Sequence, residues 1–347
     1  MSNSENDKLI SIVIPCYNVA DYVGRALESC MSQTYTNLDI VVIDDGSKDN
    51  TADVVKKYME KDTRISMFHK ENGGLATARN AGLDHMKGDY VIFLDADDWL
   101  EPDTVEYYLT LMADTEKDYL IAAGMYGIVV DDNGVEHRRE YTSGAQESIL
   151  SAQEAMGVLT KGTMNLQSSC YKLYSVRIIK ENNLRFEDSF SHAEDGLFVF
   201  QYLKVIPGVH YSPRPTWNRL YRAGSLSQIM YTHGKICNIL AAERMYNSEG
   251  NSPELNKLLL HFLAMRFEAV MTVALECGAY KYKKDIKEMR TIMKPYVPVY
   301  LKGDYGFKNK LFLRIYEYFP LWIAKLAELY TTKKNGKEKL NSDIAVQ

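Results

Sequence analysis

Residues 10–18 read Ile10-Ser11-Ile12-Val13-Ile14-Pro15-Cys16-Tyr17-Asn18, a β-branched run that stops at a proline and a polar turn. Such a run, apolar at nearly every position, predicts a short strand buried on both faces. The next segment, 20–33, changes period: Val23, Ala26, Leu27, Cys30 and Met31 recur at helical spacing. Strand and helix alternate outward from this unit, with strands over 38–43, 65–68 and 90–94 and helices over 51–59 and 75–86. Alternation at these lengths implies right-handed crossovers and an α/β fold, an open, mainly parallel sheet flanked by helices. Ligands of such sheets bind beyond the carboxyl ends of the strands. The positions to inspect are therefore 15–18, 44–49, 70–74 and 95–98.

Past residue 118 the alternation stops. Segments 119–130 and 135–141 flank Asp132-Asn133-Gly134, which predicts a hairpin. Residues 151–159 and 194–203 read as helices, and 209–221 as mostly extended. Beyond Thr232 almost everything has helical spacing, over 235–246, 253–277, 283–293 and 308–330. The expected division is a ligand-binding domain over 1–230 and a mostly helical C-terminal region over 231–347.

Composition narrows the function classes. The 347 residues are 46% hydrophobic and 25% charged with a net charge of −5, which suits a globular protein and not a general nucleic-acid binder. No stretch has the roughly 18 uninterrupted apolar residues of a spanning helix. The nearest candidates are broken by His261, Arg266 and Glu268, and by Arg314, Glu317 and Pro320. The first eight residues are polar, without a signal-peptide core. Five scattered cysteines without a Cys-x-x-Cys pair point to reduced thiols in a cytoplasm.

The strand ends hold the chemistry. Asp44-Asp45-Gly46-Ser47 places carboxylates where they can accept a hydrogen bond from a ligand, although Asp-Gly is also an ordinary turn and Ser47 or Asp49 an ordinary cap. Asp95-Ala96-Asp97-Asp98 crowds three carboxylates into four residues directly after a strand. Oxygen ligands so placed suit magnesium or manganese, and the competing reading is a cap for a helix starting near Pro102. Gly73-Gly74 opens the helix that carries Arg79, a combination that favours anions; a plain loop is the other reading. After the first strand there is no Gly-x-Gly-x-x-Gly, and no Walker lysine loop is present, which excludes the common dinucleotide and NTP folds.

Taken as an ordered set, these strand ends resemble the family 2 glycosyltransferases of the GT-A fold. The resemblance rests on Ile12–Asn18, Ser32-Gln33-Thr34-Tyr35, Val42–Ser47, Glu71–Leu75 with Ala78-Arg79-Asn80, and Gly88-Asp89-Tyr90 through Phe93–Asp98. It covers about residues 10–103, weakens to about 225, and does not extend to the helical tail. It implies a UDP-sugar donor, a divalent metal (manganese or magnesium) and inversion at the anomeric carbon. Tyr17 would stack on uracil and Asp45 would accept its imide proton, with Pro15 shaping the pocket and Asp44 beside them. Arg79 and the Gly73-Gly74 turn would lie near the diphosphate. Asp95 would contact the ribose or the metal, and Asp97 would ligate the metal. The catalytic base would be one of the acidic pair Glu194-Asp195, with Asp195 preferred; taken alone, the pair reads equally as complementing a helix dipole. Arg222, in a segment resembling a loop that folds over the donor, would reach the diphosphate. Members of this kind build capsular polysaccharide, exopolysaccharide or lipopolysaccharide. Single-sugar transfer to a saccharide or lipid-linked saccharide is therefore the expected reaction. A non-catalytic nucleotide-sugar-binding subunit is the alternative.

The tail adds one expectation. Residues 302–339 carry nine basic residues against four acids, a net +5, interleaved with Leu311, Phe312, Ile315, Phe319, Trp322 and Leu326. A basic amphipathic helix of this kind lies on an anionic bilayer or packs on its own domain with a solvated face. The former would make the protein cytoplasmic and peripheral on the inner face of the membrane.

Overall fold

A computed structural model describes residues 8–115, 118–130, 135–141, 145–221, 231–278 and 281–318. The chain forms two compact units, residues 1–225 and 226–347.

In the first unit the predicted alternation is present: β1 (Ile10–Cys16), α1 (Val23–Met31), β2 (Leu38–Asp44), α2 (Thr51–Met59), β3 (Ile65–His69), α3 (Leu75–His85) and β4 (Tyr90–Phe93). It continues through β5 (Trp99–Leu100), α4 (Thr104–Ala113), β6 (Leu120–Val130), β7 (Glu136–Tyr141), β8 (Ser148–Ser151) and α5 (Ala152–Lys161). The last elements are β9 (Lys172–Ser175), α6 (Val176–Glu181), α7 (Glu194–Leu203) and β10 (Gly208–Tyr221). The strands form one sheet in the order β3-β2-β1-β4-β9-β6-β10-β5, with β7 on β6 and β8 on β10. β3, β2, β1 and β4 are parallel, as is the long β6–β10 pair, so the sheet is mainly parallel. Most antiparallel pairs are short; the exception is the expected hairpin, β6 with β7, whose turn at 131–134 lies outside the described residues.

β1 and β2 are buried at every position, which is why their sequences run apolar without alternation. α1 covers one face with Val23, Ala26, Leu27 and Cys30. α3 lies on β1 unusually closely: a Cβ on Gly82 would fall 2.2 Å from Val13 Cγ1, so only glycine fits there. That close approach brings Arg79, one turn earlier, to the carboxyl rim of the sheet. Beneath the rim, Phe93, Tyr174, Phe186, Phe198 and Tyr202 pack edge-on or stacked, with centroids 4.1–5.9 Å apart. The cluster locks α7 against β4 and β9.

In the second unit a 3₁₀ turn (His233–Ile236) leads into α8 (Cys237–Tyr246), followed by α9 (Pro253–Glu276), α10 (Lys283–Met293), α11 (Val297–Lys302) and α12 (Phe307–Tyr318). Ser252 caps α9 by accepting from Leu255 N, and Pro253 occupies its first turn. α9 is long and apolar enough, by length and composition, to cross a membrane, with mean hydropathy 1.7 over its most apolar window. Half of that window is buried, and α8, α10 and α12 pack on α9. Of the helix expected over 308–330, the part beyond Tyr318 lies outside the described residues.

Candidate active site

Arg79 is the centre of the rim. Its side chain is 1% exposed and its guanidinium meets three carboxylates. Nη2 donates to Asp95 Oδ1 at 2.9 Å; Nη1 donates to Glu194 Oε1 at 3.1 Å and Asp195 Oδ1 at 2.7 Å. The Phe186 ring lies 5.4 Å from the guanidinium carbon. Burial opposes the charge, but Asp195 and Asp95 foremost hold the arginine pKa well above its ordinary value. The expected diphosphate cation is therefore engaged with protein carboxylates, joining the end of β4 to the start of α7.

The acidic pair opens α7 behind Ala193, a non-glycine residue in the left-handed region at φ 64°. That turn points both carboxylates inward to Arg79 instead of leaving them at the helix surface. Glu194 is buried, whereas the Asp195 side chain stays 24% exposed. Asp195 Oδ1 accepts a second hydrogen bond, from Ser169 Oγ at 2.5 Å. Burial and then the neighbouring Asp195 push the Glu194 carboxyl well above the carboxylate range. Because its folded pKa is raised, Glu194 binds its proton more tightly in the native chain than in the unfolded one. Stability contributed here is thus present at acid pH and lost as pH rises toward the raised value. Glu194→Gln is expected to flatten the decline in melting temperature between about pH 4.5 and 7.5. Parallel wild-type and mutant curves would contradict this.

The turn after β4 divides its three acids. Asp98 is buried and accepts from Trp217 Nε1 at 2.9 Å and Leu220 N at 3.0 Å, tying the turn to β10. Burial, then the charges of Asp95 and Asp97, push its carboxyl well above the usual range. Asp95 and Asp97 are only partly buried. Asp98 therefore ties the turn to β10, while Asp95 and Asp97 keep partial access to solvent.

At the ends of β1 and β2 a second group assembles. Asp45 Oδ1 accepts from Lys70 Nζ at 2.5 Å and Gly73 N at 3.0 Å, and Oδ2 accepts from Gly74 N at 2.8 Å. Gly74 has φ 90°, a conformation that frees its N–H to point at the carboxylate. Asp44 turns away: it accepts from Ser47 N at 3.0 Å and pairs with His69 Nδ1 at 2.9 Å. Burial works against its charge, but Ser47 and His69 outweigh burial and hold the carboxyl below its ordinary range. Pro15 lies within buried β1, and Tyr17, two residues on, is 46% exposed. Arg222 lies outside the described residues. Ser169, Trp217 and Phe186 are site neighbours that no motif disclosed, and Lys70 stood in the inspected 70–74 segment without an assigned role. The carboxylates that Ser169, Lys70 and Trp217 hold stand 26, 25 and 119 residues away in sequence, beyond the reach of local pattern.

Comparison with known proteins identifies the family and the fold. The profile named Glycosyl transferase family 2 matches residues 11–182. Glycosyltransferase GlyA of Streptococcus pneumoniae is 33% identical over 64% of this chain and 32% of its own length. The putative glycosyltransferase EpsH of Bacillus subtilis is 29% identical over 63% and 62%, so the match spans less than two thirds of either relative. A glycosyltransferase of Haemophilus influenzae is 31% identical over 58% of this chain and 74% of its own. Among solved structures, S. aureus TarS 1-349 in complex with UDP-GlcNAc superimposes with a TM-score of 0.70 at 18% identity, covering 94% of this chain and 92% of that 1-349 chain. The chain belongs to glycosyltransferase family 2 and has its GT-A fold.

Proposed function

We propose that the chain is an inverting glycosyltransferase that moves one sugar from a UDP-sugar to a hydroxyl of a saccharide or lipid-linked saccharide acceptor, assisted by manganese or magnesium. The observation that carries this reading is Arg79, which gathers Asp95 of the nucleotide-side turn and Asp195 of α7 onto one cation. Donor and base groups thereby share one rim of the sheet.

The residues suit a UDP-sugar in three ways. Tyr17 offers an exposed ring for stacking on a base. Among the described residues Asp45 Oδ2 has one hydrogen bond, from Gly74, and a carboxylate oxygen accepts two, so room remains for an imide N–H. TarS, which shares the fold, holds UDP-GlcNAc, and this supports testing UDP-sugars first. Asp95 and Asp97 supply two hard oxygen ligands on one turn. Among the described residues no cluster of three metal-ligating side chains closes a cage. An open oxygen site suits an ion that completes its shell with water and substrate phosphates. When bound, that ion would offset the charge that develops on the leaving diphosphate.

The chain's own part is proton transfer and orientation. Asp195 takes the proton of the attacking hydroxyl; the new bond forms at the anomeric carbon as the sugar–phosphate bond breaks, and its electron pair leaves on UDP. Arg79 holds Asp195 and Asp95 in fixed relation and Asp45 orients the base. The setting would be cell-surface polysaccharide synthesis at the inner face of the membrane. In α12, Phe307, Leu311 and Ile315 are exposed beside Lys308 and Arg314, which supports peripheral membrane contact.

A panel of UDP-sugars assayed for manganese-dependent UDP release tests the reading. Asp97→Asn is expected to lower that release about tenfold or more at subsaturating manganese. A variant as active as wild type would remove Asp97 from the metal site. A wild-type chain that binds UDP-sugars and releases no UDP, with or without acceptor saccharides, would favour the non-catalytic subunit.

A further inference from the structure

Between α5 and β9 the chain makes a loop that ordinary backbone preferences oppose. Met164, Asn165 and Tyr171 all have positive φ, at 53°, 53° and 63°, and none is glycine. Left-handed backbone is disfavoured for a non-glycine residue, so the loop persists because its surroundings over-determine it.

What determines it is Lys172. This lysine is fully buried, and its ammonium donates to the carbonyls of Asn165 at 2.8 Å, Ser168 at 2.6 Å and Cys170 at 3.0 Å. Three ammonium protons meet three carbonyl oxygens, so the cation is satisfied without a carboxylate partner. Tyr174 adds a hydrogen bond from its hydroxyl to the Ser169 carbonyl at 2.9 Å. An apolar residue at position 172 would take the ammonium from all three carbonyls and leave that of buried Cys170 without its donor.

The product of this cage is one hydroxyl. Ser169 is fully buried, and its Oγ sits 2.5 Å from Asp195 Oδ1, the oxygen that also accepts from Arg79. Two donors fill the two lone pairs of Oδ1. Among the described residues Oδ2 accepts no hydrogen bond, and the Asp195 side chain retains solvent access. The carboxylate is thereby held in one rotational state, with a single oxygen left to receive a proton.

We infer that Ser169, set by the loop that Lys172 cages, is a positioning residue that fixes Asp195 with Oδ2 toward the acceptor hydroxyl. The inference rests on the reading of Asp195 as the base. Without Ser169 the carboxylate turns about its Arg79 contact and presents either oxygen, so productive encounters fall while donor binding is untouched.

The test uses the full chain with manganese and whichever of UDP-N-acetylglucosamine, UDP-glucose and UDP-galactose releases UDP fastest. Ser169→Ala is expected to lower kcat about tenfold with the donor KM unchanged, and Ser169→Thr, which keeps the hydroxyl, to recover most of it. Lys172→Met is expected to share the kcat loss and to melt earlier. If it does not fold, the serine variants still decide. Wild-type kcat in Ser169→Ala overturns the inference, as does an equal loss in the alanine and threonine variants, which marks a packing role. Asp195→Asn run alongside separates the two readings: full UDP release there defeats Asp195 as base, whereas an inactive Asp195→Asn beside an unimpaired Ser169→Ala defeats only Ser169.

Discussion

Asp195→Asn is expected to lower sugar transfer by about a thousandfold, the middle of the range that a general base supplies. The amide is nearly isosteric, and its oxygen can still accept from Arg79 and Ser169 at the Oδ1 position. What changes is the other atom: Nδ2 carries hydrogens and has no lone pair to take a proton from an acceptor hydroxyl. UDP affinity should therefore stay near wild type while kcat collapses, and the melting temperature should fall less than in Arg79→Met, because the arginine keeps Asp95 and Glu194. Initial rates of UDP release, with binding and melting measured on the same preparation, check this. A variant that keeps a tenth or more of wild-type kcat would move the base elsewhere, and Glu194 would be the next residue to replace.

The second large effect falls on stability. Arg79→Met removes the one cation that Asp95, Glu194 and Asp195 share, in a site where the arginine is almost wholly buried. Breaking a buried ion pair by deleting one partner costs about 3–5 kcal/mol, because the remaining charge keeps its desolvation penalty. Here three carboxylates lose their partner at once and also repel one another. Arg79→Lys should recover only part of the loss, since a point ammonium cannot span the fork from Asp95 on one nitrogen to Asp195 on the other. Urea titration followed by the aromatic signal of the Phe93, Tyr174, Phe198 and Tyr202 cluster reports on this unit. An Arg79→Met variant as stable as wild type would mean that the carboxylates do not depend on the arginine.

The two predictions draw on parts of the molecule that were unequally legible in the sequence. The first half of the sheet could be read because parallel strands buried on both faces, such as β1 and β2, are written as unbroken apolar runs. β5, β8 and β9 are two to four residues long and exist through pairing with distant strands, so no local period announces them. At the site, the acidic turn and the pair at 194–195 were visible because carboxylates that crowd together at strand or helix ends are chemically conspicuous. The role of Arg79 was less so. A cation early in a helix suggests an anionic ligand, and the carboxylates that occupy it lie 16, 115 and 116 residues away. One signal was present: Ala76, Arg79 and Leu83 fall at helical spacing on the face that α3 buries, which is no place for a solvent-facing arginine. Ser169 and Lys172 left no comparable trace, since a serine shortly before a short strand and a lysine at its first position have many ordinary explanations.

Titration of UDP into the folded wild-type chain, with and without manganese, tests most directly the claim that this rim binds a nucleotide diphosphate. The expected result is one UDP per chain, bound more tightly with manganese, with that enhancement lost in Asp97→Asn and kept in Asp195→Asn. Absence of UDP binding by the folded chain, or binding that neither manganese nor Asp97→Asn alters, would contradict it.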